Sequence, residues 1–268
     1  MKKKTKKKKN PVITAFATSL IVSMAFFSAV FALNIEIVSE YFGKNPCVTG
    51  VVSRNPAKGS WNNKGDIDNP ASTEPFQDYI ENTVFIGDSR TCGLITYRFM
   101  RQENVFAEIG QSHKGARFEH FIDLGTGSLL TVAQAVGIKK PERMIVSYGI
   151  NGIAYTGPQT FMNEYEALID DLRAASPDSL IIIQSILPVS SYYQTYIDTR
   201  LTNEKIDSYN VLLKQLAEEK DCRYLDTSGV LKDGGNCLSS EYDSGDGLHF
   251  NSRVYEVLLQ YLDQHRIF

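Results

Sequence analysis

"NTVFIGDSRTCG" (residues 82–93) changes character in its middle. Val84, Phe85 and Ile86 form a short apolar run, which stops at Gly87 and gives way to Asp88, Ser89 and a helix-like continuation. Two readings account for this. In the first it is a strand-to-helix turn, with Gly87 for the tight bend and Asp88 or Ser89 as the N-cap. In the second, Ser89 is a nucleophile at the carboxyl end of a buried strand, its hydroxyl aimed into a crevice. Twelve residues do not choose between them, because short motifs match often by chance.

The pattern around this segment repeats. Strand-like runs occur at "TVFIG" (83–87), "NVFAEIG" (104–110), "RMIVSYG" (143–149), "SLIIIQSIL" (179–187) and "CRYLD" (222–226). Segments with helical spacing alternate with them at 90–102, 128–137, 160–175 and 202–219, and a last one follows at 252–264. In "FMNEYEALIDDLRAASP" (161–177), Phe161, Tyr165, Leu168 and Leu172 fall on one face before Pro177 ends the helix. The central runs are apolar on both faces, as parallel strands covered by helices must be. The expectation is a three-layer α/β/α sandwich over residues 76–268, with a mostly parallel five-stranded sheet. In such sheets the ligand crevice lies outside the carboxyl ends of the strands. Gly87-Asp88-Ser89, Gly110 and Gly149-Ile150-Asn151 would converge there, with Leu187-Pro188 as a wall.

The amino-terminal part is of another kind. Residues 1–10, "MKKKTKKKKN", hold seven of the 28 Lys and Arg residues and read as a basic cytoplasmic tail. Residues 11–33 carry no charge. As a helix they would be about 34 Å long at ~1.5 Å per residue, enough for a hydrocarbon core of roughly 30 Å. Lysines ahead of the span orient the remainder outward, which predicts a signal-anchor in the cell membrane with the domain outside. Secretion after cleavage near Val30-Phe31-Ala32 is the alternative, but the apolar run exceeds the ~7–15 residues of a signal core. Residues 34–75, rich in Pro, Gly, Asn and Ser, read as an extracellular stalk.

Without the tail, 21 basic residues face 31 acidic ones. A domain so acidic is poorly suited to hold nucleic acid or an anionic polymer by bulk charge. Four cysteines, Cys47, Cys92, Cys222 and Cys237, fit no zinc or CxxC spacing, so no metal is expected. Cys222 and Cys237 could be bridged, one of three possible pairings. Cys92 reads as a small buried residue.

A serine hydroxyl needs an adjacent base, usually a histidine oriented by a carboxylate. The chain has four histidines. His265 lies near the extreme end and reads as solvated, His120 as part of a helix surface, and His113, close to Gly110, as a residue that could line the crevice. His249 sits in "SGDGLHFNSRVYEVLLQYL" (244–262), where a Gly-rich loop becomes a helix capped by Asn251 or Ser252. Asp246 precedes it by three residues, so one turn can set the carboxylate against one imidazole nitrogen while the other points outward. A loop histidine beside an aspartate turn residue would look the same. Donors for an oxyanion are available in the N–H groups of Ser89 and Gly110 and the Asn151 amide.

Together these blocks resemble the SGNH hydrolases, or GDSL esterases, over residues 80–264. They match as Ser89 in "FIGDSR", Gly110 in "AEIGQS", Asn151 in "YGING", and Asp246 with His249 in "DGLHF". The resemblance implies a flavodoxin-like sheet and ester hydrolysis without metal or cofactor. It also implies a triad of Ser89, Asp246 and His249, and an oxyanion hole of Ser89, Gly110 and Asn151. Two residues depart from the family pattern. Arg90 stands where the named motif has Leu, with little consequence expected for the triad. Gly152 replaces the Asp that usually follows Asn151, which is expected to loosen the loop aiming that amide.

The expected function is a serine esterase acting on O-acetyl or other short acyl esters, carried by cell-wall or surface carbohydrate or by a small ester. An acyltransferase using the same residues, or a non-catalytic carbohydrate-binding or scaffold protein, are the alternatives. The aromatic segment "SSYYQTY" (190–196) could stack on sugar rings or be a packed surface loop.

Overall fold

The computed structural model describes residues 75–268. The tail, the apolar segment 11–33 and the stalk up to residue 74 lie outside the described residues, as does Cys47. Five parallel strands form the sheet: β1 (Thr83–Gly87), β2 (Val105–Ala107), β5 (Arg143–Ser147), β6 (Leu180–Gln184) and β7 (Arg223–Leu225). Their order is β2-β1-β5-β6-β7, and every neighbouring pair is parallel. This is the expected flavodoxin-like sheet. A separate antiparallel pair, β3 (Ile122–Asp123) and β4 (Leu129–Leu130), lies apart from it.

Because side chains alternate along a strand, each strand feeds two cores. Val84, Ile86, Met144, Val146, Ile181 and Ile183 face one side. There they meet α3 (Val132–Lys139), the short α4 (Ile150–Ile153), α5 (Pro158–Ala175) and α6 (Asn203–Glu219). Phe85, Ile145, Ile182 and Leu225 face the other, against α1 (Phe76–Glu81), α2 (Ser89–Thr96) and α7 (Ser252–Gln264). Burial on both faces is why these runs are almost wholly apolar.

Helix ends follow local chemistry. Pro158 opens α5, where its missing N–H costs nothing. Thr131 and Gln134 form a capping box that starts α3 at residue 132. The expected helix over 128–137 therefore begins late, its first residues being spent on β4. Asn251 caps α7 by accepting from the Arg253 N–H. The expected helix over 90–102 stops at Thr96, and Arg98 lies beyond it with φ 64°.

Cys92, Cys222 and Cys237 are buried, and Cys222 and Cys237 are free thiols, so the considered Cys222–Cys237 bridge is absent. Cys222 lies in the first core against Arg173, whereas Cys237 accepts from Gln194. None of the described helices is long and apolar enough to cross a membrane.

Candidate active site

β1 ends on glycine for a steric reason. A Cβ at Gly87 would lie 2.0 Å from Thr91 Oγ1 and 2.8 Å from the Ser147 carbonyl of the adjacent strand. With no side chain there, α2 starts immediately and packs against the sheet. Asp88 is its N-cap, its carboxylate accepting from the Arg90 N–H at 3.0 Å. Burial pushes that carboxyl up to about 6, against the opposing pull of the Arg90 charge. Ser89 follows as the first helical residue, so its own N–H has no intrahelical acceptor.

The other end of the chain returns to this point. Ser89 Oγ lies 3.0 Å from His249 Nε2, across 160 residues of sequence. His249 Nδ1 lies 2.6 Å from Asp246 Oδ2. The other carboxylate oxygen accepts from the N–H groups of Leu248 (2.8 Å) and His249 (2.7 Å). The spacing of three residues is thus a turn closed on its own aspartate, which presents the imidazole to the same carboxylate. Burial raises the affinity of Asp246 for a proton, but the hydrogen bond and charge of His249 and the two N–H groups outweigh it. The carboxyl is held well below the usual carboxylate range. An ionised carboxylate can only accept, so the proton of the pair resides on Nδ1. In the neutral ring Nε2 then presents its lone pair to the serine hydroxyl.

The remaining predicted residues approach the same sheet edge. Gly110 lies three residues beyond β2, exposed, with φ 76° and open space where a Cβ would be. Its N–H finds no acceptor among the described residues. Asn151 lies on α4, and its amide donates to the Gln111 carbonyl at 3.0 Å. One amide hydrogen thereby ties the third block to the second, and the other is left for a ligand.

His113 does not line the crevice. It is 1% exposed, stacked against Tyr165 and 4.4 Å from the Phe161 ring centroid. Its Cε1 lies 2.6 Å from where a Cβ on Gly152 would be. The imidazole thus occupies the space that a side chain at position 152 would enter, and packs against the residue that follows Asn151. Proximity to Gly110 in sequence was the only local signal for His113, and it pointed to the wrong surroundings. His120 is exposed outside any helix, since only a 3-10 turn (Gly115–Arg117) forms there. His265 is exposed at the end of α7.

Burial pushes His113 down to about 4, opposed by Glu164 at 3.4 Å. In the unfolded chain an imidazole protonates near ~6.5. Between these values the unfolded state binds the extra proton, so stability is present above pH ~6.5 and is lost as pH falls towards 4. Urea unfolding at pH 7 and pH 4.5 should show a loss about 2 kcal/mol larger for the wild type than for His113→Gln. The other titrating groups, Asp88 among them, contribute alike to both proteins. Equal losses would contradict a buried neutral imidazole.

The family described as GDSL-like Lipase/Acylhydrolase matches residues 85–257, which contain all four blocks. The chain belongs to this family. Its members act as acylhydrolases on esters, and that chemistry is assigned here at family level. Solved structures share this GDSL fold. A candidate platelet activating factor from Streptococcus pneumonia is 22% identical, with a TM-score of 0.52 over 69% of this chain and 83% of that one. A candidate acylhydrolase from Bacteroides fragilis is 20% identical, with a TM-score of 0.52 over 68% and 85%. A GDSL-like lipase from Bacteroides thetaiotaomicron is 18% identical, with a TM-score of 0.52 over 68% and 86%. At these identities the likeness speaks for the fold alone. No curated protein matches the chain.

Within the GDSL frame, the "SSYYQTY" segment is part packed and part exposed. It forms a π-helical turn, Tyr193–Ile197. Tyr193 packs against the first core, while Tyr192 and Tyr196 stand 59% and 74% exposed with ring centroids 5.5 Å apart. The Ser190 N–H at its start donates to the Gly247 carbonyl, beside Asp246.

Proposed function

We propose that this protein is a serine esterase that removes short acyl groups, O-acetyl above all, from cell-wall or surface carbohydrate. The observation that carries the reading is the unbroken hydrogen-bonded line Ser89–His249–Asp246. Ser89 attacks the ester carbonyl while His249 Nε2 accepts its proton. Asp246 holds the imidazole in the required tautomer and stabilises the imidazolium that forms. The oxyanion is met by the N–H groups of Ser89 and Gly110 and by the free Asn151 amide hydrogen. His249 then protonates the leaving alcohol, and water enters along the same path to release the acid.

The carbohydrate assignment draws on two features. Tyr192 and Tyr196 offer neighbouring exposed rings beside the Asp246 loop, a surface suited to the apolar face of a pyranose. The lysine-rich start followed by the uncharged segment 11–33 supports anchoring in the cell membrane with the domain outside, next to such polymers. A test is mass spectrometry of acetylated cell-wall fragments incubated with the full chain or with a fluorophosphonate-blocked sample. Loss of acetyl groups only with the unblocked protein is expected. Acetyl groups moved intact to an added sugar alcohol would mark a transferase, and no change on any ester would overturn the reading.

A further inference from the structure

Arg90 was expected to matter little, yet a positive charge in the first turn of a helix opposes the helix dipole. Such a local conflict indicates an obligation elsewhere in the fold. Arg90 is 6% exposed, and its guanidinium makes three hydrogen bonds to backbone carbonyls. Nε donates to Leu248 (3.0 Å), Nη1 to Leu187 (2.7 Å) and Nη2 to Pro188 (3.2 Å). The Phe250 ring lies 4.6 Å from the guanidinium carbon, a cation–π contact. The backbone carbonyl of Arg90 accepts from the Tyr255 hydroxyl on α7 at 2.8 Å.

Both ends of the Arg90–Leu248 bond adjoin reacting groups. Arg90 is covalently next to Ser89, and Leu248 is covalently next to His249. One rigid fork therefore joins the peptide after the nucleophile to the peptide before the base. It also pins both to the loop that follows β6. Carbonyls in irregular backbone need donors when buried, and only a planar group with several fixed N–H vectors can serve three at once. Lysine, a single point of charge, cannot span them.

We propose that Arg90 is the positioning residue that sets the Ser89–His249 distance, so that its loss acts on turnover more than on substrate binding. The inference rests on the esterase reading for its kinetic side, but the geometry can be read separately. A misplacement of about 1 Å can cost on the order of a hundredfold in rate. Arg90→Ala and Arg90→Lys are therefore expected to lower kcat by about a hundredfold, with KM changed less than about threefold. Rates are normalised to the folded fraction from thermal melts. Guanidinium at low, non-denaturing concentration should restore at least part of kcat in Arg90→Ala and do nothing for Ser89→Ala.

If Arg90→Ala is too unstable to purify, Arg90→Lys carries the same kinetic comparison. Either variant, folded and turning over within threefold of wild type, overturns the proposal, as does a kcat loss that only tracks the unfolded fraction. If wild type itself proves inactive on every ester, the esterase reading fails. The clamp is then judged by the His249 Nδ1 proton in NMR spectra. Loss of that resonance in the folded variant, with return on adding guanidinium, supports the clamp. An unchanged resonance overturns it.

Discussion

Ser89→Ala should lower kcat for a chromogenic acetyl ester by at least about 10⁴-fold, leaving the melting temperature nearly unchanged. The size of the effect follows from the chemistry, since the Ser89 hydroxyl is the group that faces His249 Nε2, at 3.0 Å. Stability is spared because the half-buried Ser89 side chain bonds only that nitrogen among the described residues. Its removal empties little volume and strands no buried backbone group. The residual rate would come from the oxyanion donors and from binding alone. Activity within tenfold of wild type would place ester cleavage elsewhere on the molecule.

Asp246→Asn is expected to have a comparable kinetic effect by a different route, with a loss on the order of 10⁴-fold in kcat. The amide oxygen can still accept from the Leu248 and His249 N–H groups, so the turn is retained. The amide nitrogen then faces Nδ1 as a donor. This forces the imidazole proton onto Nε2, where it opposes the serine hydroxyl instead of accepting from it. Kinetics paired with circular dichroism and a thermal melt check both halves of the expectation. A folded Asp246→Asn protein with nearly full activity would mean that the carboxylate only shapes the loop. Adding Asp246→Asn to Ser89→Ala should cause little further loss, because the two act as one unit.

Much of the site was legible because its chemistry permits few residue types. Ser89, Asp246 and His249 could be named from order and spacing, and the coordinates place them in one hydrogen-bonded line. Gly110 and Asn151 also reach that sheet edge, although Asn151 spends one hydrogen on Gln111. The five strands were legible because burial on both faces leaves a run of apolar residues that no helix surface shows. Their ends, and the starts of α2 and α3, were less so. Capping by Asp88 and Thr131 sets those boundaries to the residue, against the pull of a longer apolar period.

The surroundings of Arg90 and His113 were hidden from the sequence for one shared reason. The acceptors of Arg90 lie 97, 98 and 158 positions away, and nothing near it in the chain announces them. The imidazole of His113 meets Gly152, an absence of side chain that sequence reading took as a weakness of the loop. The state of Cys222 and Cys237, which the sequence left open, is likewise a matter of tertiary placement: both are buried and unbridged.

By itself the sequence determined the parallel α/β sandwich, the order of its main strands and long helices and the residue types that meet at the sheet edge. Periodicity and reactive side chains are properties of short segments, and short segments are all it displays. Only the tertiary structure decided which charge is buried against three backbone carbonyls and which histidine is packed among aromatic rings. Those identities depend on solvent exclusion and on donors meeting acceptors across the whole chain.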